Sequence, residues 1–277
     1  MRVPENLPHT YSSRIRVFLR DAAFRGLPSI VLRRLLQVHY LRKVQSSLES
    51  QEPDLLSVGQ FVKAADHVID VGANVGVYTI HLAGLVGKTG SVYSFEPMPL
   101  TFDILKYNVK KLRLSNVHIF NVALSDTERT AMMEIPPASS GGFNLYRSRI
   151  AAIPQRESRS RFFSVTLRTL DGQMVRQGAR VSLLKIDVEG HELQVINGGK
   201  ELIRRFRPAI LIELSSNPDD KGSPAGEVCD RLTAQGYECY CINGGTLKRR
   251  SRGDKSVNYL FLTKDLIKER TLEVINA

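Results

Sequence analysis

From residue 67 onward, short apolar runs alternate with stretches whose apolar residues recur at helical spacing. HVIDV (67–71) reads as a strand stopped by Gly72, and Val75 to Val86 as a helix punctuated by Gly87 and Gly90. SVYSFEP (91–97) is a second strand. Pro99 to Arg113 carries Leu100, Ile104, Leu105, Val109 and Leu112 at helix-face spacing, and VHIFNVAL (117–124) is a third strand. In one sheet this βαβαβ order demands parallel strands with right-handed crossovers. The rhythm resumes with VSLLKID (181–187), a helix from His191 to Phe206, the strand PAILIEL (208–214) and a helix near Ala225 to Gln235. YECYCI (237–242) and VNYLFLT (257–263) read as a closing β-pair around the basic loop Lys248 to Lys255.

Two stretches depart from this rhythm. Residues 1–66 form a basic extension with two expected helices, broken at Gly26-Leu27-Pro28, with Ser29 capping the second. Arg33, Arg34, Arg42 and Lys43 spread around that helix. The spread favours an appendage packed on a main domain at 67–277 over a helix lying on an anionic membrane, although a peripheral membrane contact stays open. Pro136 to Arg161 is rich in Ser, Gly, Pro and Arg and reads as a long loop, a feature that is often functional. Its Arg147, Arg149, Arg156, Arg159 and Arg161 would suit phosphates or acidic glycans.

Composition narrows the class. With 277 residues, 42% hydrophobic and 24% charged, the chain can bury a sizeable core and is no disordered, collagen-like or multi-span membrane sequence. Cys229, Cys239 and Cys241 are too few and too clustered for a disulfide framework, and the last two have strand spacing rather than a CxxC pattern. We read them as reduced thiols of a cytoplasmic protein. Lys plus Arg number 39 against 28 Asp plus Glu, a net +11 that attracts nucleic acid, anionic lipid or phosphorylated substrates without choosing among them. Met1 to Thr10 is polar, so no leader is expected. The most apolar long window, His67 to Gly87, holds Asp70, Asn74, His81 and four glycines, a poor membrane span.

The chemistry concentrates at strand ends. Ile69 to Gly76 ends a strand and opens a helix, with Gly72 and Gly76 allowing a tight turn and Asn74 tolerating a left-handed backbone. Glu96 lies 20 residues beyond Gly76 at the next strand tip, where an acid accepts from a ribose diol. The loop reads DxGxNxG, neither a GxGxxG fingerprint nor a Walker loop, and Asp70 would suit the amino end of an aminoacyl-type cofactor. Lys185 and Asp187 share a strand face, Glu189 and His191 follow on the turn, and Glu213 ends the next strand. Five ionisable groups thus converge on the crevice where open α/β sheets bind ligands.

DVGANVGVYT (70–79), SFEPMPLTFDILKYNV (94–109), LLKIDVEGHELQVINGG (183–199) and PAILIEL (208–214) resemble the motifs of FkbM-family methyltransferases, in order over about residues 67–214. The resemblance implies a Rossmann-like class I methyltransferase fold, a sheet of seven mostly parallel strands with the last antiparallel, here carrying an N-terminal helical extension. It implies S-adenosyl-L-methionine as cofactor, with Asp70, Gly72, Asn74 and Gly76 around the methionine part and Glu96 on the ribose. Ala123, Leu124 or Asp126 would lie near the adenine, Asp126 being the first choice for the exocyclic amine and equally able to cap a helix or turn. The implied reaction is methylation of a hydroxyl on a carbohydrate or other small metabolite, and the Arg-rich loop would admit an acidic or phosphorylated acceptor.

Such an acceptor must lose a proton. His191 is the first candidate base, and Asp187 or Glu189 could replace it or orient the hydroxyl. Glu189 could equally face a helix dipole and His191 lie on the surface of a first turn. Lys185 more readily pairs with Asp187. A divalent metal would fall to Asp187 and Glu213, but Leu214 follows Glu213 where metal-dependent enzymes place a further polar ligand, so no metal is favoured. The charge also prompts an RNA methyltransferase, without an RNA-binding module or NPPY motif to support it. A membrane-peripheral protein with a vestigial cofactor site is the third reading, opposed by the intact Asp70, Gly72, Gly76 and Glu96.

Overall fold

The computed structural model describes residues 29–49, 55, 58–137, 148–151, 160–174, 180–243, 246–270 and 274–275. In chain order the elements are α1 (Ser29–Glu49), β1 (His67–Val71), α2 (Val77–Val86), β2 (Ser91–Phe95), α3 (Pro99–Lys111) and β3 (Val117–Phe120). Then come β4 (Ala123–Leu124), β5 (Arg129–Ile135), β6 (Arg149–Ile150), β7 (Arg161–Arg168) and α4 (Leu170–Met174). The chain continues through β8 (Val181–Ile186), α5 (Glu192–Gly198), α6 (Lys200–Phe206), β9 (Ala209–Glu213) and α7 (Pro224–Ala234). It closes with β10 (Tyr237–Asn243), β11 (Thr246–Arg249), β12 (Asn258–Thr263), α8 (Lys264–Arg270) and β13 (Val274–Ile275).

The continuous apolar runs become interior strands because both faces of the sheet are covered. Ile69, Val71, Tyr93, Phe95, Leu184, Ile186, Ile210 and Ile212 pack on one face with Val195 and Ile196 of α5, Ile203 of α6 and Val228 of α7. Val68, Val92, Leu183, Ala209 and Leu211 pack on the other with Leu82 and Val86 of α2 and Leu266 of α8. The strand period of two separates the groups. The strand order is β13-β11-β10-β12-β9-β8-β1-β2-β3. β3, β2, β1, β8 and β9 run parallel, while β12 is antiparallel to both β9 and β10. This is the Rossmann-like arrangement expected, with β11 and β13 extending seven strands to nine. The order reverses between β1 and β8, so their C-terminal tips open a crevice.

Three expectations are corrected. VHIFNVAL is not one strand: β3 stops at Phe120, and Ala123–Leu124 pairs instead with Leu167–Arg168. Asn121 sits at the break, its Nδ2 donating to the carbonyls of Glu96 (2.8 Å) and Pro97 (3.0 Å). The region read as a long loop contains β6 and is flanked by β5 and β7, which pair antiparallel from Arg129↔Leu167 to Ile135↔Arg161. These strands form a second sheet, β4-β7-β5-β6, whose Ala131, Met133, Ile135, Val165 and Leu167 bury a small core with Met98 and Ala123. The helix from His191 to Phe206 is two helices meeting at Gly198-Gly199, because α5 is pressed against the end of β4. A Cβ on Gly198 would lie 1.9 Å from the Ser125 carbonyl oxygen.

α1 packs through Leu36 and Val44 against Val75, Ile80 and Ile104, and Arg33 pairs with Asp103 at 2.8 Å. The helix expected before Gly26, and Arg147, Arg156 and Arg159, lie outside the described residues. Among the described residues no helix is long and apolar enough to cross a membrane. Cys229, Cys239 and Cys241 are free thiols.

Replacing Gly198 by Ala therefore forces a methyl group into a carbonyl. Urea unfolding should show a loss on the order of 3 kcal/mol. A loss below about 0.5 kcal/mol, the range of an inconsequential surface change, would mean that α5 and β4 do not meet as described.

Candidate active site

The loop after β1 is held by backbone bonds to its neighbours. Gly72 and Ala73 N–H both donate to the Phe95 carbonyl at 3.0 Å, and Asp187 N–H donates to the Val71 carbonyl at 3.1 Å. Gly72 has φ +74, and a Cβ there would lie 1.8 Å from the Asp187 carbonyl oxygen. Only glycine allows the two strand tips to approach this closely. Asn74 takes the expected left-handed conformation, φ 51, which turns its N–H onto Glu96 Oε2 at 2.8 Å.

Glu96 is 6% exposed and gathers three donors. Met98 N–H (2.8 Å) and Thr101 Oγ1 (2.7 Å) meet Oε1, and Asn74 N–H meets Oε2. Burial pushes its pKa up, against the lowering effect of these bonds and of Lys185. A carboxylate offers about four lone-pair sites, so Oε2 keeps capacity for another donor, and Glu96 lines the cavity.

Lys185 and Asp70 form the base of the site. Lys185 is 4% exposed, and its Nζ donates to the Gly72 carbonyl (3.0 Å) and the Val71 carbonyl (3.4 Å). It also meets Asp70 Oδ1 at 3.2 Å and Asp187 Oδ2 at 3.6 Å. Asp70 Oδ2 accepts from Thr79 Oγ1 at 2.7 Å. Burial works against the ammonium, yet Asp70 and then Asp187 more than offset it, so Lys185 titrates above the ordinary lysine range. It is a fixed cation that pairs with Asp187, as expected, and more closely with Asp70.

A cavity of about 240 Å³ opens at these tips. Its wall carries Gly72, Asn74, Glu96, Asp187, Glu189, His191 and Glu213, with Phe95, Val122 and Leu124 as an apolar flank. Asp70, Lys185, Gly76 and Asp126 are not on the wall. Asp70 and Lys185 lie behind the loop, and Gly76 is the N-cap of α2, close against Leu105. Asp126, exposed, accepts from Ser125 Oγ at 3.2 Å.

The acids repel one another. Burial, then the charges of Asp187, Glu189 and Glu192, push Glu213 up to about 7 against the pull of Lys185. Glu192, buried, is raised chiefly by burial and accepts from Gly190 N–H at 2.8 Å, closing the turn that carries Glu189 at φ 52. His191 is the N-cap of α5, and its Nε2 lies 2.9 Å from Ser125 Oγ. Burial lowers its pKa, Asp126 opposes and Arg129 assists, which leaves a neutral imidazole at neutral pH. Glu213 can therefore exchange a proton near neutrality, and His191 presents a neutral imidazole beside it. Among the described residues no group of three or more His, Cys, Asp or Glu is arranged to hold a metal ion.

Sequence reasoning missed Thr101, Ser125 and the wall contributed by the second sheet, Met133, Ser148 and Ile150. The alternation in RTAMMEI (129–135) and RFFSVTLR (161–168) was the available signal. Of the Arg-rich segment, Arg149 is held by Glu134, its Nε at 3.2 Å.

A Rossmann-like sheet with a polar cavity at its switch point belongs to the class of open α/β folds that bind ligands at their strand tips. The profile of the FkbM methyltransferase domain matches residues 70–239, and the chain belongs to that family. Hexuronic acid methyltransferase AglP of Haloferax volcanii is 28% identical over 159 residues, 56% of this chain and 59% of that protein. Methyltransferase 1 of Beauveria bassiana is 25% identical over 166 residues, 55% of this chain and 66% of that protein. The crystal structure of a methyltransferase FkbM from Methylobacillus flagellatus superposes with a TM-score of 0.47 at 14% identity, covering 90% of this chain and 58% of that one. The chain spans less than two thirds of the length of each of these proteins.

Two outcomes follow from the charges. An unfolded glutamate titrates near 4.5 and Glu213 at about 7, so the folded chain holds this proton more tightly. The resulting stabilisation is complete below pH 4.5 and is lost as pH rises through about 7. Thermal melts across that range should fall with pH in the wild type and fall less in Glu213→Gln; parallel curves would contradict the crowding of these acids. Lys185→Met strands Asp70 and Asp187 and should cost about 3–5 kcal/mol in urea unfolding, where a surface ion pair would cost under about 1 kcal/mol.

Proposed function

We propose that this chain binds S-adenosyl-L-methionine in the cavity and moves its methyl group to a hydroxyl of a carbohydrate or other small metabolite. The observation that carries the reading is the convergence, in a chain of this family, of Glu96, His191 and the proton-exchanging Glu213 on one cavity. Glu96 Oε2 has the remaining capacity to accept from a ribose hydroxyl, and Phe95, Val122 and Leu124 offer apolar surface to a flat base. Bound there, the cofactor supplies a methyl group on a positively charged sulfur. Asp187 and Glu189 give the cavity a negative field that suits such a cation.

The chain's own residues would manage the acceptor. His191, neutral, would take the proton of the acceptor hydroxyl, with Glu213 as the alternative acceptor of that proton. Asp187 orients the hydroxyl, and the second sheet covers the cavity and limits water. One relative's name gives a sugar acid as its acceptor, which supports the carbohydrate class.

Titration calorimetry with S-adenosyl-L-methionine should register binding in the wild type and a roughly 10–100-fold weaker affinity in Glu96→Ala, the loss of a hydrogen bond to a charged group. Asp187→Asn should leave that affinity within a few fold and lower turnover of methyl-labelled donor on fractionated glycans. Equal donor affinity in wild type and Glu96→Ala would refute the ribose contact, and no heat in either would refute the cofactor.

A further inference from the structure

The most informative contact outside the cavity wall joins two segments 66 residues apart. Ser125 follows β4 and is 1% exposed. Its N–H donates to the Arg168 carbonyl at 2.8 Å, and its own carbonyl packs against Gly198, where a side chain would not fit. The backbone of Ser125 is thereby fixed by the second sheet on one side and by α5 on the other. Its hydroxyl has two neighbours, Asp126 Oδ1 at 3.2 Å and His191 Nε2 at 2.9 Å.

A serine hydroxyl carries one hydrogen, and a carboxylate can only accept. If that hydrogen pointed at His191, a serine lone pair would face the Asp126 carboxylate. Both contacts are hydrogen bonds only when Ser125 donates to Asp126 and Nε2–H donates to Ser125. Burial and the charge of Arg129 keep the ring neutral against the pull of Asp126, so a ring protonated at Nε2 has a bare Nδ1.

We propose that Asp126 and Ser125 are positioning residues that lock His191 in the Nε2–H tautomer and leave Nδ1 as the lone-pair atom that takes the acceptor's proton. Asp126 thereby acts on the histidine rather than on an adenine. The catalytic half of this inference rests on the methyl-transfer reading of the cavity; the tautomer does not.

The test reads the ring directly. Nitrogen-15 labelling of the six histidines, with His191 assigned by its loss in His191→Gln, separates protonated from bare ring nitrogens in the full chain without donor. The expected wild-type pattern is a protonated Nε2 and a bare Nδ1. Ser125→Ala should mix the tautomers and Ser125→Thr should restore the lock. Asp126→Asn should shift the ring toward Nδ1–H, because its amide can donate to Ser125 and turn the hydroxyl hydrogen onto Nε2. With an acceptor in hand, Ser125→Ala should lower kcat about tenfold, less than the ~100-fold or more expected from loss of the base, and leave the donor KM unchanged.

A bare Nε2 in the wild type, or an identical ring spectrum in Ser125→Ala and Asp126→Asn, overturns the lock. Unchanged kcat in Ser125→Ala overturns its catalytic meaning. Absence of methyl transfer throughout, alongside a protonated Nε2, overturns the proposed function and leaves the lock standing.

Discussion

A buried ammonium ties together the two strands on which the site is built. Lys185 lies one residue from the C-terminal end of a fully buried strand, where an unpaired charge would cost several kcal/mol. It is tolerated because the end of β1 turns two carbonyls and the Asp70 carboxylate toward it, while Asp187 meets it from the end of its own strand. The arrangement requires β1 and β8 to be adjacent and in register, with Asp70 beside Lys185. It also requires Gly72, since a side chain there would collide with the Asp187 backbone. The crevice between these strand tips is therefore defined by electrostatic pairing and by steric necessity together.

The cavity above that base has two unlike sides. Toward β2, Glu96 is saturated on one oxygen by backbone and threonine donors and keeps acceptor capacity on the other. Toward β8 and β9, carboxylates crowd until Glu213 holds its proton near neutral pH. Lys185 damps the repulsion without removing it, because Asp70 already occupies much of its field. One side can recognise a neutral polar group, and the other can stabilise positive charge and exchange protons. Both properties come from one buried cation and the carboxylates arranged around it.

The second sheet gives the site its wall and its histidine geometry. β4 leaves the main sheet after Asn121 and joins β7, which brings Ser125 to the base of α5. Met133 and Ile150 then close the cavity from the second sheet. His191 is thus set by contacts from two sheets, although it lies in the turn after only one of them.

Much of the fold was legible locally. Four of the five parallel strands are buried on both faces, so HVIDV, SVYSF, VSLLKI and AILIE stand out as strands whatever their neighbours. The glycine turn, Asn74 with its positive φ, and an acid at the tip of β2 follow from short-range spacing. The break after Phe120 was not legible, because Ala123 and Leu124 find partners more than 40 residues later at Leu167 and Arg168. Nor was the split at Gly198-Gly199, which answers to a carbonyl of Ser125 that no helical period reports. Sequence alone determined which residues line strand tips and carry charge. Tertiary structure alone decided that Lys185 pairs first with Asp70, that Glu213 is crowded to about 7, and that His191 meets Ser125. Those outcomes depend on distances between segments remote along the chain, and strand order, not local pattern, sets such distances.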